Sequence, residues 1–194
     1  MSLKVIAGTA RGRLLKTLPQ GDLSIRPMLG RVKKSVFDII QFKVLNSNFI
    51  DLFAGIGSVG IEALSRGAKK VTFAELSNVS LSLTKHNVNM LGFNNRAKII
   101  KCDVIKDFAL LQDKYDIVFM GTPYKDSDKK VLAFTRPVLE NILKYNILKD
   151  DSVLIAQKHI KESVREVSGL ECFRVERYGN TVISFYYKLN KLKF

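Results

Sequence analysis

The sequence has no tryptophan, only two cysteines, two histidines and four prolines, and its 18 acidic residues fall well short of its 32 basic ones. Cys102 and Cys172 cannot build a disulfide framework and lack metal-ligand spacing, which fits a reducing compartment; two packing residues and no metal are expected. No stretch approaches the ~20 apolar residues of a membrane span, and Met1-Ser-Leu-Lys4 opens without an apolar run of signal-peptide length. A soluble, cytoplasmic protein without membrane contact is expected. Low-complexity tracts, internal repeats and a linker to a second domain are also missing. With 46% hydrophobic residues over 194 positions, a sizeable core can nevertheless be filled.

Positive charge is what the chain has in excess. Of the formal net charge of +14, the segment 1–48 carries +7, from Lys4, Arg11, Arg13, Lys16, Arg26, Arg31, Lys33, Lys34 and Lys43 against Asp22 and Asp38. Concentration in a quarter of the chain is the footprint of a phosphate-backbone binder. Uniform lysine enrichment is the alternative, but arginines near Gly8, Gly12 and Pro27 put guanidinium groups on turn-rich backbone, which suits phosphate recognition.

Residues 3–7 and 14–17 are short extended candidates around Gly8-Thr-Ala-Arg-Gly12-Arg13, predicting a hairpin arm outside the main core. After Arg26-Pro27 and Gly30, the apolar Val32, Val36, Phe37, Ile39 and Ile40 recur near helical spacing and predict an amphipathic helix with a basic outer face. Strand-like runs at 48–53, 71–75, 97–101, 115–120 and 152–157 then alternate with helical stretches, the pattern of right-handed crossovers and a parallel sheet. Runs 171–177 and 181–188 flank Tyr178-Gly179-Asn180, a hairpin signal that makes one end of the sheet antiparallel. The expected fold class is α/β and Rossmann-like: a seven-stranded, mostly parallel sheet with a terminal antiparallel hairpin and a small N-terminal extension. Residues 1–45 form the basic extension and 46–194 the ligand-binding domain.

The densest chemical signal, Asp51-Leu-Phe53-Ala54-Gly55-Ile-Gly57-Ser-Val-Gly60, leaves an apolar strand and enters a helix. Glycines at such a turn let the backbone approach a ligand and present helix N-terminal amides. Gly55-x-Gly57-x-x-Gly60 is also the dinucleotide fingerprint, so an NAD-binding oxidoreductase stays open. Asp51 would repel a pyrophosphate and attract the ammonium of a methionine moiety, which favours S-adenosylmethionine; capping the turn or helix is its alternative role. Glu75, ending the second strand beside Leu76, is placed to accept both hydroxyls of a ribose. Asp103 is placed to accept from an adenine amino group with Val104 beside the ring, or else to cap a helix beginning near Val104. After the fourth strand, at the edge where open α/β sheets hold ligands, comes Gly121-Thr122-Pro123-Tyr124. Its tyrosine is either a stacking platform, worth ~1–3 kcal/mol per base, or a packed turn residue.

On these residues the chain resembles, nearly end to end, the RsmD family of bacterial 16S ribosomal RNA guanine-N2 methyltransferases. The family's arm is similar to Val5-Ile-Ala-Gly8-Thr-Ala-Arg11-Gly12-Arg13, its next signature to Arg26-Pro27, Arg31-Val32-Lys33 and Val36-Phe37-Asp38. Its cofactor signature is similar to Asp51-Leu-Phe-Ala-Gly55 and Gly60-Ile-Glu62-Ala-Leu-Ser-Arg66-Gly67-Ala68, and Tyr178-Gly179-Asn180-Thr181 is family-like too. The resemblance implies a class I methyltransferase fold, with S-adenosylmethionine held by Asp51, Phe53, Ala54, Gly55, Gly57, Glu75, Leu76, Asp103 and Val104. It implies that Gly121, Thr122, Pro123 and Tyr124 hold the extruded base, since an amine cannot be reached within a stack. Arg11, Arg13, Arg26, Arg31 and Lys33 would grip the phosphates of ribosomal RNA or a small-subunit particle, and the protein would act as a monomer.

Several positions depart from the family pattern. Met28 stands for a usual threonine, Lys34 for a glutamate, and Ile56 for a small residue. Gly121 replaces the Asp or Asn that accepts a hydrogen bond from the target amine, leaving only a backbone carbonyl, with Asp126 near enough in sequence to substitute. Loss of one such partner costs about a hundredfold in rate. A homologue that binds cofactor and RNA without useful catalysis is therefore the second expectation.

Overall fold

The computed structural model describes residues 3–18, 28–123 and 133–189. Among the described residues, seven strands form one sheet: β1 (Asn48–Leu52), β2 (Lys70–Glu75), β3 (Ala97–Lys101), β4 (Tyr115–Gly121), β5 (Leu148–His159), β6 (Leu170–Tyr178) and β7 (Thr181–Lys188), in the order β3-β2-β1-β4-β5-β7-β6. The first five are parallel, and β7 and β6 close the sheet as an antiparallel hairpin. This is the expected fold class, with β5 running several residues further at its start than the sequence pattern marked.

Central strands are apolar on both faces because helices cover both. Alternation sorts them: Phe49, Ile117 and Phe119 belong to one cluster with α1 (Gly30–Ile39), α2 (Gln41–Val44), α3 (Ser58–Ser65) and α4 (Asn78–Met90), whereas Ile50, Leu52, Val118 and Met120 belong to a second with α5 (Thr135–Lys144). Asp51 shares the Phe49 face, so its carboxyl points under α3.

Two expectations are corrected here. The N-terminal arm is not outside the core: Val5, Ala10 and Leu15 are buried in the first cluster. It is a loose hairpin with a single bridge, Lys4 to Leu14, and its Gly8 is required both by its φ of 82 and because a Cβ there would meet the Ser65 carbonyl oxygen at 1.8 Å. Residues 104–106 form a turn followed by a 3-10 helix at Phe108–Leu110, so no α-helix begins near Val104.

Candidate functional site

The carboxyl ends of β1, β2 and β3 each carry a carboxylate, and sheet order sets them side by side at one edge. Between β1 and α3 the chain turns through Phe53 (φ 61), Gly55 (φ 57) and Gly57 (φ 81). A left-handed Phe53 is a strained conformation of the kind held at functional turns. Gly57 is required twice over, by its φ and because a Cβ would meet the Thr84 methyl at 3.0 Å. From α4, Thr84 donates its hydroxyl to the Gly55 carbonyl at 2.8 Å, and the buried Asn87 donates its amide to the Ile56 carbonyl at 3.1 Å. The turn is thus fixed from behind, and Ile56 itself is buried in the first cluster, away from the mouth.

Asp51 is 1% exposed and accepts the Gly60 amide at 2.8 Å, so it does cap the first turn of α3. Burial pushes its carboxyl up to about 8; the nearby Glu75 adds to the rise, while the Gly60 amide and Lys33 oppose it. Glu75 wraps the entrance: Oε2 accepts the Gly55 amide at 2.8 Å, and Oε1 accepts those of Leu76 at 2.9 Å and Ser77 at 2.8 Å. Asp103 accepts the amides of Ile105 and Lys106 at 2.9 and 3.3 Å. Leu76 leaves 55% of its surface in water beside these acids. A set of carboxyl acceptors next to an exposed aliphatic side chain suits a ligand with cationic or hydroxyl donors and an apolar ring.

Other expected contacts lie differently. Ala54 is nearly buried, with its amide on the Ala74 carbonyl, and the Phe53 ring stacks on Phe134 at 6.5 Å between centroids. Val104 is 2% exposed within the second cluster, leaving little surface for a ring. Gly121 ends β4 opposite Gln157. Thr122 is turned away from the edge: it is 2% exposed, and its hydroxyl donates to the Gln157 carbonyl at 3.0 Å. Pro123 is exposed, whereas Tyr124 and Asp126 lie outside the described residues.

Arg11, Arg13 and Arg31 are exposed, and Arg26 lies outside the described residues. Lys33 is a correction: it is 1% exposed, its ammonium ion-paired with Glu62 at 3.3 Å and donating to Ser58 Oγ at 3.1 Å. An inward-facing position on α1 cannot reach a phosphate. Glu62, fully buried, was missed by pattern reading, although an acid inside the apolar run Val59-Gly-Ile-Glu-Ala-Leu was the signal. It accepts the Ile6 and Ala7 amides at 2.8 and 3.0 Å and the Arg66 guanidinium at 2.8 Å. Cys172 is exposed, while Cys102 is buried and its thiol pushed up to about 11 by that burial.

A family model described as Conserved hypothetical protein 95 matches residues 3–187. The chain is 32% identical over 181 residues to ribosomal RNA small subunit methyltransferase D of Haemophilus influenzae, covering 89% of this chain and 92% of that protein. It is 30% identical over 190 residues to the candidate rRNA methyltransferase YlbH of Bacillus subtilis, covering 96% and 99%. Its fold matches the solved structure of the candidate methyltransferase yhhF from Escherichia coli, with a TM-score of 0.80 at 20% identity over 98% of this chain and all of that one.

Proposed function

The chain belongs to the family described as Conserved hypothetical protein 95, and from that membership we propose that it transfers a methyl group from S-adenosylmethionine to the exocyclic N2 amine of a guanine in 16S ribosomal RNA. One observation carries the proposal: Asp51, Glu75 and Asp103 stand on consecutive strand ends beside the glycine turn and the exposed Leu76. S-adenosylmethionine, when bound, supplies a methyl group already activated by its sulfonium.

The residues present fit that cofactor. Its ammonium, ribose hydroxyls and adenine amine are all donors, and each carboxylate keeps lone pairs beyond those its own backbone amides use. Asp51 and the Gly55–Gly57 turn would take the amino-acid end, Glu75 the ribose, Asp103 the adenine amine, and Leu76 the face of the ring. The insertion of antiparallel β7 between β5 and β6 departs from the all-parallel order of dinucleotide-binding sheets, which argues against the NAD alternative.

Catalysis is then mostly positioning, since holding amine and methyl in line removes most of the entropic barrier. The Gly121 carbonyl would accept an amine hydrogen and orient the nitrogen lone pair. Pro123 and Tyr124 would hold the extruded base. Arg11, Arg13 and Arg31 would grip phosphates. The missing side chain at Gly121 favours a second reading, an impaired homologue that binds cofactor and RNA. Incubating the protein with methyl-labelled cofactor and small ribosomal subunits lacking the modification tests both. Label in the guanine N2 position supports the proposal, and RNA and cofactor binding without transfer favours the second.

A further inference from the structure

We infer that the amino edge of the sheet, opposite the glycine turn, is a second binding site for the phosphate backbone of the RNA substrate. The inference rests on the RNA methyltransferase proposal and concerns a surface that proposal does not use. A cavity of about 520 Å³ opens there, and Lys70, Arg96, Lys98, Lys114 and Lys149 line it against one acid, Asp113. These cations are scattered through the sequence, so no charge run announces them. Parallel pairing collects them, because each sits at or beside the start of a strand. The order β3-β2-β1-β4-β5 lines up Lys98, Lys70, Asn48, Lys114 and Lys149 across four strand spacings, about 19 Å.

Two of the five are compensated: Lys98 pairs with Asp113 and Lys149 with Asp116, each at 2.8 Å. Among the described residues Lys70, Arg96 and Lys114 form no ion pair. Arg96 is oriented, with a hydrogen bond to the Ala68 carbonyl at 3.1 Å and its guanidinium 5.0 Å from the centre of the Phe93 ring. Of the neutral lining, Asn48 and Asn95 carry side-chain amides that can donate to phosphate oxygens, whereas the buried Tyr115 hydroxyl donates to Thr72 Oγ1 at 3.2 Å. A cationic row of this length complements a polyanion far better than a single small anion.

The length of a strand, five residues in β1 or roughly 17 Å, separates this edge from the site of methyl transfer, so the surface would hold a remote part of a folded RNA and lower KM without touching the chemistry. The test uses the full chain with Lys70→Glu and Lys114→Glu together, both exposed, and the probe is 16S ribosomal RNA. The expected result is about tenfold weaker RNA binding, a salt slope shallower by roughly 1.4 to 1.8, an unchanged affinity for S-adenosylmethionine and an unchanged kcat at saturating RNA. The pair Lys85→Glu and Lys144→Glu, with the same change in net charge but outside the cavity, is expected to leave RNA affinity within about twofold. RNA affinity and salt slope unaltered by the first pair, or equally altered by the control pair, would overturn the inference. Failure of the wild-type protein to transfer methyl groups is read separately and bears on the proposed function alone.

Discussion

Asp51 is a carboxyl group whose surroundings oppose its charge. Above the ordinary value of 3.8 the unfolded chain releases this proton, while the native chain keeps it until about 8. The native state therefore binds more protons across that window, and the group's contribution to stability is lost as pH rises through it. Thermal midpoints are expected to fall more steeply between pH 5 and 8 in the wild type than in Asp51→Asn. Parallel profiles would show that Asp51 does not titrate there. An ammonium beside Asp51 favours its ionised form, so calorimetric affinity for S-adenosylmethionine should tighten from pH 6.5 to 8.5, and this trend should vanish in Asp51→Asn.

Gly121 poses the matching question for chemistry. A Cβ there would meet the Phe119 ring at 3.2 Å, tight but within reach of a small ring shift. Gly121→Asp would supply the missing acceptor for the amine, and kcat is expected to rise about tenfold or more. An unchanged kcat with intact cofactor affinity would mean that another group already performs the role.

At the scale of elements, α3 is the hub. Its N-terminus receives Asp51, its middle carries Glu62, and its C-terminus takes the arm, with the Thr9 amide on the Ser65 carbonyl at 2.8 Å and the Ala10 amide on Ser65 Oγ at 2.9 Å. Glu62 joins the arm, α1 and Arg66 in one buried knot, and Asn87 adds a second clip by accepting the Lys16 amide at 2.7 Å. Burial also pushes the Lys33 ammonium below its ordinary value, against the pull of Glu62. Removing one partner of such a pair strands the other charge, so Glu62→Gln should cost ~3–5 kcal/mol in urea unfolding, with part recovered by adding Lys33→Met. A loss under about 1 kcal/mol would contradict the buried pair. The arm motif therefore reads two ways: Gly8 and the backbone of Ile6 and Ala7 are structural, and only Arg11 and Arg13 remain free to face a ligand.

For the whole molecule, charge is the property that links fold to partner. Arg11→Glu with Arg13→Glu should weaken binding to 16S ribosomal RNA and flatten its salt dependence while sparing cofactor affinity; loss of cofactor affinity instead would place the arm's role in the glycine turn. Alternating strand and helix patterns, the glycine turn and the terminal hairpin were legible from residue order, because periodicity and turn chemistry are local. So were Asp51, Glu75 and Asp103, as acids just where strands end. Tertiary packing decided what those patterns left open: Lys33 turned inward, Thr122 bound to β5, Val104 sealed in the core, and five distant cations gathered at one edge. A side chain's direction depends on which surface its element buries, and pairing of parallel strands brings together residues that no local stretch of sequence connects.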